Sequence, residues 1–110
     1  MEVSEEKKGD VLIVGVSGKL EVTNSRAFEE RILAVIDAGE RQLVVDLSRL
    51  DYVSSAGLRV FVTAAKLLNS ANGKIVFCSL KEPVREVFDI AGFFSIFSVY
   101  DSQDEAVKSL

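Results

Sequence analysis

A chain of 110 residues, 48% hydrophobic and 27% charged, has the length and composition of one globular domain that buries a core without staples. Its net charge of −4 and pI near 4.8 leave no basic footprint for nucleic acid or an anionic membrane surface. With no histidine and one cysteine, it has no His-based acid–base chemistry, no His metal ligands and no internal disulfide.

Met1 to Lys8 lacks the apolar core of a signal peptide, and no apolar run approaches the ~20 residues that cross a bilayer. The expected location is therefore cytoplasmic. Glu2 to Lys8 reads as a polar edge strand that turns at Gly9-Asp10 into Val11–Val16, a strand apolar enough to be covered on both faces. Gly18 to Asn24 reads as a turn into a helix, with Thr23 or Asn24 as N-cap. From Ser25 to Ala38 the apolar positions Phe28, Ile32, Val35 and Ile36 recur at helical spacing, Glu29 and Glu30 face outward, and Gly39 is the stop.

Gln42 to Leu47 is the next strand. Ser55 to Ala71 follows as a helix whose stripe Leu58, Phe61, Val62, Ala65 and Leu68 has the spacing of a buried face, ending at Asn72-Gly73. Ile75 to Ser79 is a further strand, in which Cys78 reads as a buried, inert thiol. Pro83 suits the first turn of a third helix running to Ala91, closed by Gly92. The aromatic run Phe93-Phe94-Ser95-Ile96-Phe97 reads first as core packing, with room for one exposed phenylalanine. Ile96 to Tyr100 is a short last strand, and Ser102 with Glu105 has the capping-box spacing that opens a C-terminal helix.

Strands alternating with helices in this way define an α/β fold. The expectation is one domain over residues 1–110, with a central mixed, largely parallel sheet of four to five strands and about four helices.

The most informative stretch is Asp51-Tyr52-Val53-Ser54-Ser55-Ala56-Gly57-Leu58-Arg59, where two serines and a glycine sit between a strand and a helix. Helix N-termini expose unpaired N–H groups and partial positive charge, so they accommodate hydroxyls and phosphates. Either serine suits simple capping, phosphorylation or partner docking. Nucleophilic hydrolysis is a poor fit, because no histidine takes the serine proton and no Gly-x-Ser-x-Gly is present. Gly57 suits either close approach of a partner backbone or tight helix–sheet packing. No glycine-rich phosphate loop is visible, which leaves nucleotide binding weakly supported and no cofactor expected.

A strand ending in Val45-Asp46-Leu47-Ser48, a spacer, then Val53-Ser54-Ser55-Ala56-Gly57-Leu58 resembles the STAS domain, and more narrowly the bacterial anti-sigma factor antagonists. Val16–Glu21 is similar to the family's strand-turn before the first helix, and Glu82–Phe93 to its later helix. The resemblance implies partner switching. The unphosphorylated form binds an anti-sigma factor serine kinase and frees a sigma factor; the kinase then phosphorylates one serine, and a metal-dependent serine/threonine phosphatase resets the cycle. By alignment on Gly57-Leu58 the modified position falls on Ser55, with Ser54 as the fallback. The chain has Ser54 where many phosphorylated members carry an acid. Partner contacts are implied for Glu21, Thr23, Asn24, Ser54, Ser55, Ala56, Gly57, Leu58 and Arg59. No metal, nucleic acid or membrane partner is expected, and monomer is the expected state. The alternative is a non-phosphorylated STAS subunit of a signalling assembly or a transport system.

Overall fold

The computed structural model describes residues 1–110. In chain order it contains β1 (Glu2–Lys8), β2 (Val11–Leu20), α1 (Ser25–Asp37), β3 (Gln42–Val53), α2 (Ser55–Ser70), β4 (Lys74–Cys78), α3 (Glu82–Ile90), a 3-10 turn at Phe93–Ser95, β5 (Val99–Tyr100) and α4 (Gln103–Lys108). The five strands lie side by side in sequence order. β1 and β2 form an antiparallel hairpin, with Lys8 opposite Val11 and Gly9 at φ +61°, a left-handed conformation that costs glycine little. β2 to β5 are all parallel. The sheet is mixed and largely parallel, as the alternation of elements implies.

Strands that follow one another in one direction across a sheet, each joined by a right-handed crossover, place their helices on one face. Period-2 alternation shows it here. Leu12, Val14 and Val16 of β2, Leu43 and Val45 of β3, and Ile75 and Phe77 of β4 point into a large core with α1, α2 and α3. The intervening Val11, Ile13, Val44, Val76 and Cys78 point the other way and pack beneath α4 through Ala106. β2 is thus covered on both faces over its first residues.

Cys78 is fully buried there, and burial, with the negative charge of Asp46 beside it, pushes its thiol up from 9.0 to about 11. We expect iodoacetamide to label Cys78 only slowly in the folded protein at about pH 8 and rapidly after unfolding. Between pH 9.0 and about 11 the unfolded chain releases this proton while the folded chain keeps it. The stability contributed by Cys78 is therefore lost as pH rises through that window.

Two elements run further than the residue pattern suggests. β3 continues six residues beyond Leu47, and β2 reaches Leu20, because register shifts between Gly15 and Ser17 and between Gly18 and Lys19 re-phase the pair. From Leu47 onward the buried residues, Leu47, Leu50 and Val53, are spaced by three, so the alternation that signals a strand is absent. At the bulge, Asp46 Oδ1 accepts from the Ser48 N–H at 2.9 Å and Asp46 Oδ2 from Gln103 Nε2 at 2.8 Å. β5 is shorter than read: only Val99 and Tyr100 pair with β4, since Phe93–Ser95 form a 3-10 turn and Phe97 N–H bonds back to the Phe93 carbonyl. Phe93 is buried and Phe94 is partly exposed beneath the Arg85 guanidinium.

The buried stripe of α2 is also offset from the expected one. Gly57, Val60, Phe61, Ala64 and Leu68 are buried, whereas Leu58, Val62 and Ala65 sit half-buried at its margin. Leu58, Val62 and Ala65 still touch the main core. Edge strand β1 carries charges along its length, which blunts pairing with another chain; Lys7 pairs with Glu40, and Glu5 with Arg31 at 2.7 Å.

Candidate functional site

The C-terminal ends of parallel strands are where loops of an α/β sheet converge. Here β2 and β3 stay paired to their tips at Leu20 and Val53, and just beyond them the Ser54 N–H donates to the Leu20 carbonyl at 2.9 Å. That bond sets the loop before α1 beside the serine turn before α2.

Ser54 is the N-cap of α2. Its Oγ accepts from the Gly57 N–H at 3.3 Å, and its carbonyl accepts the first intrahelical bond, from the Leu58 N–H at 3.0 Å. Ser55 is the first helical residue; it is exposed, and its hydroxyl has no hydrogen-bond partner. The two serines therefore differ in kind: one is committed to the helix, the other is free. Ser54→Ala is expected to lower stability by about 1 kcal/mol, and Ser55→Ala by less than about 0.5 kcal/mol, read from urea midpoints.

Gly57 faces inward. A Cβ built there would lie 2.7 Å from Leu20 Cγ and 2.8 Å from Val53 Cγ2, so its role is tight packing of α2 on the strand tips. Of its two sequence readings, this burial supports tight helix–sheet packing. Leu58 likewise packs on the core, Ala56 is half-buried, and Arg59 is exposed with no ion-pair partner. Asp51 is exposed at the end of β3. Its carboxyl accepts from Lys81 Nζ at 2.7 Å, which holds it below the usual carboxylate range and braces β3 to the start of α3.

In the loop before α1, Asn24 stands at the N-cap position, but its side chain does not cap the helix. Its Oδ1 accepts from the Glu21 N–H at 2.8 Å and its Nδ2 donates to the Lys19 carbonyl at 2.9 Å. The expected capping by Thr23 or Asn24 is thus corrected: Asn24 stitches the loop to itself, and Thr23 is simply exposed. Glu21 is half-buried. Glu21, Val22, Thr23, Tyr52 and Ser54 together line a shallow concavity of about 250 Å³.

Sequence reasoning missed two of these residues. Val22 is 73% exposed and Tyr52 is 45% exposed, an apolar surface beside the serine turn. Both types favour strands and cores, so nothing in their pattern marks them as surface. No group of three or more His, Cys, Asp or Glu side chains is placed to hold a metal ion, and no helix is long and apolar enough to cross a membrane.

Fold and site together define a singly wound α/β domain that presents a free serine hydroxyl at a helix start, with no base bonded to it. The chain belongs to the STAS domain family, whose model matches residues 2–106. It is 45% identical over 109 residues to BtrV of Bordetella bronchiseptica, a protein named as an anti-sigma factor antagonist, with 99% of this chain and 94% of that one covered. It is 29% identical over 111 residues to the anti-sigma F factor antagonist of Paenibacillus polymyxa, covering 100% and 95% of the two chains. A Thermotoga maritima crystal structure, also described as an anti-sigma factor antagonist, superposes with a TM-score of 0.93 at 23% identity over 97% of this chain and 92% of that one.

Proposed function

We propose that this chain is an anti-sigma factor antagonist that works by partner switching. Unmodified, it binds an anti-sigma factor that is also a serine kinase and so releases a sigma factor. Transfer of phosphate from ATP to Ser55 Oγ separates the complex, and a metal-dependent serine/threonine phosphatase hydrolyses the ester to reset it. The chain itself catalyses neither step and acts in the cytoplasm. The names of its full-length relatives support the antagonist role.

The observation that carries the assignment of Ser55 is the division of labour at the turn. Ser55 is exposed with an unused hydroxyl, whereas Ser54 Oγ is engaged by Gly57. In the free protein a phosphate at Ser55 is tolerated, because the first N–H groups of α2 and its positive end lie beside it. Across a docked interface the same group brings roughly −1.5 to −2 charge into a desolvated surface. Glu21, Thr23, Ser54, Ser55, Ala56 and Arg59 form the partner-facing rim, and Val22 and Tyr52 supply apolar area. Asn24, Gly57 and Leu58 serve by holding the two loops in position.

Intact mass with peptide mapping tests this reading, after incubation with ATP and each anti-sigma kinase encoded in the same genome. One phosphate on Ser55, absent from Ser55→Ala, is the expected result. Addition that persists in Ser55→Ala moves the site to Ser54 or elsewhere, and no addition with any kinase rejects the phosphorylation switch.

A further inference from the structure

A second concave surface lies well away from the serine turn. It runs between the C-terminal half of α2 and the segment 96–98, with a volume of about 390 Å³. Val62, Ile75, Ile96 and Phe97 give it an apolar lining, and Lys66 and Lys74 stand along it. Ile96 is 63% exposed and carries that apolar lining out to the surface.

The charged residues that line this groove are both basic. The chain has 17 acidic and 13 basic residues, yet no carboxylate lines the groove. Lys66 and Lys74 are exposed and take no part in the three ion pairs of the structure, Lys7–Glu40, Arg31–Glu5 and Lys81–Asp51. Two unpaired cations beside an apolar trough complement an occupant that is apolar along one face and acidic at its flanks. The groove is open along its length, so it covers one side of what it holds. That suits a helix, whereas a small ligand needs most of its surface enclosed.

We propose that this groove docks an amphipathic, acidic helix of a partner protein, and that it does so whatever the state of Ser55. Lys66 lies about 16 Å from Ser55 along α2, roughly two Debye lengths at physiological salt, so charge at the switch is screened from it. The chain then carries two docking surfaces, of which only one is switched. The inference is independent of the kinase reading.

The test titrates the full chain with two synthetic amphipathic helices of about four turns, sharing one leucine face and bearing either glutamate or lysine on its flanks, followed by backbone-amide NMR. The glutamate peptide is expected to move the amides of Val62, Lys66, Ile75 and Ile96 and to leave Ser54 to Gly57 unmoved. Lys66→Glu with Lys74→Glu, both at exposed positions, is expected to weaken that peptide about tenfold or more and to favour the lysine peptide. Ser55→Asp is expected to change the affinity by less than about twofold. Equal affinity for the two peptides, shifts centred on Val22 and Tyr52, self-association through the groove, or no shift at all would overturn the proposal.

Discussion

Ser55→Asp is expected to weaken the proposed complex with an anti-sigma kinase by about 30-fold or more. Ser55 sits at the first position of α2, exposed beside the loop that carries Glu21 and Thr23, so a partner covering both loops removes it from water. A charge desolvated without a partner costs ~2–5 kcal/mol, which at 1.4 kcal/mol per decade is about 30-fold to several thousand-fold in Kd. Ser55→Asn separates charge from bulk, because it adds nearly the same volume and stays neutral; it is expected to lose far less. Titration calorimetry of the three proteins against one kinase at fixed ionic strength decides the matter. Equal affinities for wild type and Ser55→Asp would falsify the electrostatic switch.

Phe61→Ala is expected to cost about 3–5 kcal/mol, a large share of the ~5–15 kcal/mol that keeps a domain of this size folded. Phe61 is 1% exposed at the centre of an aromatic cluster. Its ring lies edge-on to Phe28 of α1 at 5.9 Å, to Phe77 of β4 at 5.0 Å and to Phe88 of α3 at 6.1 Å. Four elements meet on this one side chain, so no neighbour moves inward without breaking another contact, and the cavity persists. The urea midpoint is expected to fall steeply with an unchanged m-value, since the surface exposed on unfolding hardly changes. A loss below about 1 kcal/mol would mean that the cluster collapses around the deletion.

Much of this architecture is legible in the residues themselves. Alternating strands and helices dictate the parallel order, and Gly39, Pro83 and Gly92 mark helix ends where the structure has them. The turn at Ser54-Ser55 is equally plain, because serine before an apolar helical run is a start signal. What escapes the sequence is whatever depends on a neighbour. The far half of β3 is hidden because its register shifts against β2 replace alternation with a three-residue spacing. Asn24 reads as a cap from its position, but the carbonyl of Lys19 and the N–H of Glu21 lie within its reach and take its side chain instead. The buried stripe of α2 turns toward Val60 and Ala64, since the tight packing of Gly57 on Leu20 and Val53 sets the helix's rotation. Val22 and Tyr52 escape because composition does not say which apolar residue is left outside.

The helix α4 closes the face of the sheet opposite the other three, and it is only six residues long. Its hold rests on Ala106 against the strands, on Ser102 capping the Glu105 N–H at 3.2 Å, and on the Gln103 bond to Asp46. So small an element opens more readily than the aromatic core does, by a local fluctuation that leaves the rest of the domain intact. Cys78 lies beneath it, and its slow labelling in the native state therefore acts as a clock for that latch. The denaturant dependence of the rate separates the two motions: a shallow slope reports the lifting of α4, and a steep one reports melting of the whole sheet.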